Sequence, residues 1–448
     1  MSVQLPLPFK DRIEKQLGKK AADFFNALEN PKPVSIRLNQ KKYAGPLSAD
    51  RVLWSSNGYY LTERPSFTLD PLFHAGAYYV QEASSMFLEQ AINRIINPDE
   101  AIKVLDLCAS PGGKSTHLLS LLNNESLLIS NEVINTRLGP LQENISKWGY
   151  SNVVTTNLDP KSFNSLQGYF DIVLIDAPCS GEGLFRKDPK AIQEWSEINA
   201  ANCVLRQKRI IQDVLPCIKP GGYLVYSTCT YNPEENINQI DKIIREHDFK
   251  SIPIPLTPEW NITEASMNKA LGYQFYPNNT RGEGFFLAIV QNQQCENREL
   301  KKCKSLKQYK GDIINANSYL EKPELFNLLE PFPNEICFLA ENLIPEIEQL
   351  MGYLPVKKIG TKLGEIKGKD FIPHHDLALS NDKSGKIPCI NLDKTNALQY
   401  LRRNQFDYNA DQQAWHLAQY KGLGLGWVNI TSGRANNKLP MNLRIRNL

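Results

Sequence analysis

No stretch of this sequence approaches the roughly 18 consecutive apolar residues that a membrane-crossing helix needs, so a helical membrane span is not expected. The first residues, MSVQLPLPFKDRIEKQ, lack the basic start, apolar core and small-residue cleavage site of a secretion signal, and cytoplasmic residence is the expectation. Cysteine patterning is missing too. The nine cysteines form no CxxC pair and no cysteine–histidine ladder, which argues against a disulfide framework and a zinc site. Cys295 and Cys303 are the nearest approach to a cluster, and their separation fits no metal site. No bound metal is expected. Internal repeats and low-complexity tracts are absent as well.

Charge of one sign is scarce. The net charge of +3 barely hints at a polyanionic partner, but its distribution says more. From Lys394 onward there are eight Lys or Arg against Asp407 and Asp411 alone, a basic end piece that fits a nucleic-acid contact. With 448 residues, 42% hydrophobic and 22% charged, the chain reads as a soluble protein of two or three domains.

Four segments follow from patterning. Residues 1–100 read as a small mixed α+β module, with helical spacing over Ile13–Leu28 and Ser84–Ile95 around the strand-like PVSIRLN. Residues 101–292 alternate apolar runs with helical stretches. The runs lie at 102–108, 126–133, 153–159, 170–178, 221–229 and 284–290. Helices are predicted over Ser115–Leu122, Arg137–Trp148, Lys190–Ile218 and Glu234–His247, the last with an apolar stripe of Ile237, Ile240 and Ile244. Non-alternating strands interleaved with helices predict an α/β domain with a parallel sheet covered on both faces. Residues 293–390 open on a polar linker and form an intermediate region. A terminal module of residues 391–448 closes the chain.

Four motifs sit where the predicted strands end. Asp106-Leu-Cys-Ala-Ser-Pro-Gly-Gly-Lys114-Ser115 joins a strand to a helix, a Gly-rich turn that lets a ligand approach the backbone and the free amides of a helix start. It is no P-loop, which needs Gly where Cys108 stands, and no GxGxxG is present. Glu132 ends the next strand, placed to accept two ribose hydroxyls, and Asp159 ends the third, where it can face a base. Asp176-Ala-Pro-Cys179-Ser-Gly-Glu-Gly183 closes the fourth strand and Ser227-Thr-Cys229-Thr-Tyr-Asn-Pro-Glu-Glu-Asn236 the fifth. Two cysteines and a carboxylate thus share one cleft, and either sulfur is a candidate nucleophile. Cys203 and Cys217 fall inside the long predicted helix and are expected in the core.

DLCASPGGKST, IDAPCSGEG and YSTCTYNPEEN, in this order, resemble the signature blocks of the Nop2/Sun RNA cytosine-5 methyltransferases. YVQEASSM (79–86) and RGEGFFLAIV (281–290) are similar to that family too, and the likeness spans residues 30–290. GEGLFRKDP (181–189) and the long carboxyl extension resemble the bacterial RsmF-type ribosomal RNA enzymes. GLGLGWVNITSGRANNKLP resembles their terminal PUA-like module. The resemblance implies a Rossmann-like S-adenosylmethionine-dependent methyltransferase sheet, preceded by the small module and followed by an RNA-binding region. It implies that Cys108, Ala109, Ser110, Pro111, Gly112, Gly113, Lys114, Glu132, Asp159 and Asp176 bind S-adenosylmethionine. Ser110 stands where Ala is more usual.

Within the family pattern, Cys229 matches the nucleophile and Cys179 the cysteine that helps release product. The implied chemistry is coherent. A thiolate adding to carbon 6 makes the pyrimidine electron-rich at carbon 5, Asp176 neutralises charge at the ring nitrogen, and a base removes the carbon-5 proton after transfer. The implied partner is RNA, small-subunit ribosomal RNA or the assembled subunit, held by a monomer. Transfer RNA is the alternative substrate, a DNA cytosine-5 enzyme using the Pro-Cys position is the rival chemistry, and a non-catalytic assembly factor is the rival class. Arg186, Lys187, Arg434, Lys438, Arg444 and Arg446 are candidate phosphate contacts.

Overall fold

The computed structural model describes residues 4–43, 47–295, 305–311, 316–408, 413–431 and 434–446. Cys303 and Asp411 lie outside the described residues. The chain opens with helices α1 (Leu7–Leu17) and α2 (Ala21–Glu29), where the sequence predicted one helix. The break falls at Gly18, which holds φ 55° and so ends α1 where other residues resist that conformation. Strands β1 (Val34–Leu38) and β2 (Gly58–Leu61), helix α3 (Pro71–His74) and strand β3 (Tyr78–Val80) follow, in a sheet of order β2-β1-β3. A tight turn at Ser84–Phe87 leads into α4 (Leu88–Ile95).

The central sheet is built from β4 (Lys103–Asp106), β5 (Leu127–Asn131), β6 (Val153–Thr156), β7 (Phe170–Asp176) and β8 (Ile218–Thr228), all parallel in the spatial order β6-β5-β4-β7-β8. Crossover helices α5 (Gly113–Leu121), α6 (Asn135–Trp148), α7 (Pro189–Glu194) and α8 (Glu197–Val214) cover it. The chain moves outward from β4 to β6, then returns to β7 on the other side of β4. Open α/β sheets bind ligands at such a reversal, beyond the carboxyl ends of the strands. After α9 (Ile237–Glu246) and the short β9 (Phe249–Ser251), antiparallel strands β10 (Thr263–Met267), β11 (Ala270–Phe275) and β12 (Phe285–Asn292) complete the far side.

Alternate residues of each central strand face opposite cores, as the pleat requires. Leu105, Ile129, Val154 and Val173 pack with Ile210 and Val214 of α8 and Ile240 of α9. Val104, Leu128, Val153 and Ile172 pack with α5, α6 and also Leu88, Ala91 and Ile92 of α4. The expected boundary after residue 100 therefore falls within one continuous core. On α9 the buried stripe is Ile237, Ile240 and Ile243, with Ile244 at its margin.

The helix predicted over 190–218 is interrupted. α7 stops before Trp195, and Ser196 starts α8 by accepting a hydrogen bond from the Asn199 amide at 3.1 Å. Cys217 is fully buried, but Cys203 is half-exposed on α8 rather than in the core.

The carboxyl-terminal portion begins with the short helix α10 (Ala316–Tyr319). Next come β13 (Phe326–Phe332), β14 (Glu335–Ala340), α11 (Ile344–Tyr353), β15 (Lys358–Ile359), β16 (Thr361–Lys367), β17 (Asp370–Pro373) and α12 (His375–Leu379). Strands β13, β14, β16 and β17 form their own antiparallel sheet. β15 instead pairs antiparallel with β6 and becomes the edge of the central sheet. The end module holds β18 (Cys389–Leu392), α13 (Lys394–Arg402), β19 (Trp415–Tyr420), β20 (Leu423–Thr431) and β21 (Arg434–Asn437) in one sheet.

All three portions meet at the carboxyl end of α6. There the Lys42 ammonium donates to the carbonyls of Ala75 (3.0 Å), Lys147 (2.6 Å) and Leu379 (2.6 Å). Asn39 and Asn381 donate to Trp148 O beside it. Burial, with Lys383 nearby, pushes the Lys42 pKa well down, while the three carbonyls and the negative end of α6 favour its charge. Lys42→Met removes every donor and leaves buried carbonyls unpaired. It is expected to lower stability by about 3 kcal/mol or more, read as a lower thermal midpoint and faster proteolysis after residue 292.

Candidate active site

β4 ends at Asp106, which is fully buried. Its Oδ2 accepts from Ser115 Oγ at 2.7 Å, while Oδ1 has no partner. Burial raises its pKa to about 7. The turn that follows returns through Ala109, whose amide donates to Asn131 O on the neighbouring β5, and reaches Gly112 at φ 107°, immediately before α5. A side chain there would be strained, which accounts for glycine at the first turn of the ligand-approach motif. Ser110 Oγ donates to Arg137 O, Arg137 Nη2 donates back to Ser110 O, and Pro111 O accepts from Asn144 Nδ2 at 2.9 Å. The turn is thus fastened to α6 on its outer side. Burial holds the Cys108 thiol well above its ordinary pKa, so this sulfur stays protonated and unreactive.

Glu132 continues β5. It is buried, accepts the Ile134 amide through Oε1 at 2.8 Å, and has Arg137 at 3.7 Å from Oε2. Asp159 is placed differently. It caps the turn at Pro160–Ser165 by accepting from the Lys161 amide, is half-exposed, and pairs with Arg209 of α8. The expectation that Asp159 faces a base therefore meets a carboxylate already engaged by a guanidinium.

The reactive groups converge at the ends of β7 and β8. Asp176 and Ser227 are register partners, and Ser227 Oγ donates to Asp176 Oδ1 at 2.9 Å. Lys114 Nζ lies 2.7 Å from Asp176 Oδ2. Burial works against the lysine charge, but Asp176 outweighs it and the Lys114 pKa is raised. The Gly-rich turn and the β7 carboxylate are thereby joined by one ion pair, a role for Lys114 that spacing did not reveal.

Beyond Asp176 and Ser227 the chains bring Cys179 Sγ and Cys229 Sγ to 3.0 Å, and the Cys229 amide donates to Cys179 Sγ at 3.3 Å. The hydrogen bond shared with the Cys229 sulfur, then burial, push the Cys179 pKa well up.

A buried polar frame holds both cysteine loops. Glu235 Oε2 accepts from the Ser180 amide (2.8 Å) and from Gln207 Nε2 (3.0 Å), which also donates to Pro178 O. Ser180 Oγ and Thr230 Oγ1 are 2.9 Å apart. Gly183 donates its amide to Cys229 O at 2.8 Å, and a Cβ there would stand 2.4 Å from Gly284 O. Glu182 carries a second hub, accepting from Trp195 Nε1 (3.0 Å) and the Tyr231 amide (3.2 Å), with Arg12 Nη2 at 2.6 Å. Glu182, Glu235 and Gly183 stood inside the motif strings, but Arg12 and Gln207 gave no local signal.

The candidate phosphate contacts divide. Arg186 is buried and spent on Glu283, Ala27 O and Gly282 O, so it is a structural pair rather than a free cation. Lys187, Arg434, Lys438, Arg444 and Arg446 are exposed. Among the described residues, no group of three His, Cys, Asp or Glu converges to hold a metal ion, and no helix is long and apolar enough to cross a membrane.

Comparison with known proteins adds three matched segments. Residues 93–291 match the family described as 16S rRNA methyltransferase RsmB/F, residues 5–83 the N-terminal domain of 16S rRNA methyltransferase RsmF, and residues 388–445 the methyltransferase RsmF PUA domain. The chain is 29% identical to the ribosomal RNA small subunit methyltransferase F of Shewanella piezotolerans, covering 94% of this chain and 93% of that protein. It is also 29% identical to the protein of that name in Vibrio parahaemolyticus, over 100% and 99% of the two chains. Among solved structures it is similar to a methyltransferase homolog protein from Pyrococcus horikoshii. That match has 30% identity and a TM-score of 0.56 over 65% of this chain and 96% of the other.

Proposed function

We propose a function from the premise that this chain belongs to the 16S rRNA methyltransferase RsmB/F family and carries the amino-terminal and PUA domains of RsmF. The reaction is transfer of a methyl group to carbon 5 of one cytosine in small-subunit ribosomal RNA. The observation that carries this reading is the pair of sulfurs, Cys179 and Cys229, 3.0 Å apart beside Asp176 and the Gly-rich turn.

S-adenosylmethionine is the donor this reading requires, and the residues fit it. Asp106 has a fully buried oxygen with no partner, Glu132 offers a buried carboxylate, and Gly112 opens the turn to backbone approach. Acceptors for an ammonium and for ribose hydroxyls are what such a nucleoside needs. When bound, it supplies an electrophilic methyl group.

The chain's own residues do the rest. Cys229, as thiolate, bonds to carbon 6 of a cytosine flipped out of its stack, and the ring electrons move toward carbon 5. Asp176, fixed by Lys114 and Ser227, relays a proton to the ring nitrogen that neutralises the negative charge the addition leaves there, and the proton returns when the Cys229–carbon bond breaks. Once Cys229 is bonded to carbon, its sulfur no longer raises the pKa of Cys179. Cys179 then gives its proton to water and, as thiolate, takes the carbon-5 proton, and the Cys229–carbon bond breaks.

The exposed cations Lys421, Arg434, Lys438, Arg444 and Arg446 fit contacts with RNA phosphates, which a PUA domain makes plausible chemistry at that end of the molecule. The test is methyl transfer from labelled donor to RNA of cells that lack the protein. Label is expected as 5-methylcytosine at a single position of small-subunit RNA. Label in transfer RNA would change the substrate, and no label in any RNA would overturn the reading.

A further inference from the structure

We propose that the cavity between α1 and the loop after Cys229 is a binding site for the nucleotide adjacent to the target cytosine, read through its base. This rests on the function proposed above. The cavity is about 780 Å³, within the roughly 300–1,000 Å³ of small-molecule sites and ample for one nucleotide. Its walls come from three places: Arg12 and Gln16 on α1, Trp195 and Ala201 around the start of α8, and Asn232 with its neighbours in the Cys229 loop. Asn232 is three residues from Cys229, so this wall lies within about 11 Å of the nucleophile along the chain. A nucleotide seated here is held by the same loop that delivers the sulfur.

The lining has the chemistry of single-stranded RNA recognition, which stacks bases on aromatic rings and hydrogen-bonds their edges. Trp195 supplies the ring. Arg12 Nε and Gln16 Oε1 are buried yet have no partner within the protein, one a donor and one an acceptor. Buried groups without partners are costly and call for a ligand or water. Both side chains are otherwise fixed. Gln16 Nε2 donates to Tyr231 O (3.1 Å) and Tyr276 Oη (2.7 Å), and Arg12 is held by Glu182, which also holds Trp195. The wall is therefore set before RNA arrives. Acidic residues among the lining offset its two cations, so the site suits a base edge rather than a phosphate.

The test uses the full-length protein and a pool of nine-nucleotide RNAs with cytosine at the centre and all four bases elsewhere. Bound RNA is separated and sequenced, affinity is measured alongside, and methylation of the same pool is recorded separately. The wild type is expected to prefer particular bases at one position next to the cytosine. Ala201→Trp fills the cavity from an exposed helical position and should erase that preference. Its affinity should fall about tenfold or more, the scale of one base–aromatic stack, with the thermal midpoint unchanged. Trp195→Ala should erase the preference too, with a lower thermal midpoint because the indole also donates to Glu182, while Trp195→Phe, which keeps a ring, should retain the preference. Equal preference and affinity in wild type, Ala201→Trp and Trp195→Ala overturn the site, even if all three methylate RNA. Base preference that depends on residues 195 and 201 without methylation by the wild type upholds the site and overturns the reaction instead.

Discussion

Replacing Cys229 by Ala is expected to stop methyl transfer, lowering kcat by about 10⁴-fold or more, as removal of a covalent nucleophile does elsewhere. The side chain is small, half-buried and at the end of β8, so its loss should change stability by about 1 kcal/mol or less. Donor binding is expected to persist, because Lys114 and Ser227 hold Asp176 by bonds that do not use that sulfur. Three measurements check this together: incorporation of labelled methyl into small-subunit RNA, calorimetric donor affinity, and thermal unfolding. A variant retaining activity within tenfold of wild type would assign the nucleophile to another group. Cys179 would be examined first, because no other sulfur stands 3.0 Å from Cys229 among the described residues.

Cys179→Ala should fail at a different moment. Addition to carbon 6 needs only Cys229, and the methyl transfer that follows needs only the activated ring, so both still proceed. Removal of the carbon-5 proton then lacks its base, and the Cys229–carbon bond cannot break. Protein linked to methylated RNA is expected to accumulate as a band that survives denaturing electrophoresis, and turnover should fall about 10²- to 10⁴-fold, the usual weight of a positioned proton acceptor. The double variant lacking both sulfurs should show no linked band. A single variant that turns over at the wild-type rate without a linked species would remove Cys179 from the release step.

The raised pKa of Cys179 gives the order of events a physical basis. Its first cause is the hydrogen bond shared with the sulfur of Cys229. In the proposed mechanism, covalent capture of Cys229 removes that cause, and Cys179 then serves as the base.

The parallel sheet was legible because β4 to β8 are almost wholly buried and so read as continuous apolar runs. Cys179, Cys229 and Asp176 were legible because strand ends in such sheets face the ligand crevice. Contacts between residues far apart in sequence were not. Nothing near Arg12 foretells Glu182, and nothing near Arg186, a candidate phosphate contact by sequence, foretells Glu283; the fold brings a buried carboxylate to each. The helix over 190–218 kept its apolar spacing across Trp195 and Ser196, so the capped restart of α8 was hidden by periodicity. β15 was invisible for the opposite reason. Two residues are too few to show any pattern, and they pair with β6 some two hundred positions away.

That short pairing, with the junction at Lys42, sets where the terminal portion sits against the catalytic sheet. Lys357 donates to Thr155 O and Gly360 to Val153 O, so the portion that carries β15 is stitched to the sheet on both flanks of that strand. If the terminal cations hold RNA phosphates as proposed, the span from them to Cys229 is set by that pairing. An RNA that presents the right sequence at a different span is then expected to bind without being methylated.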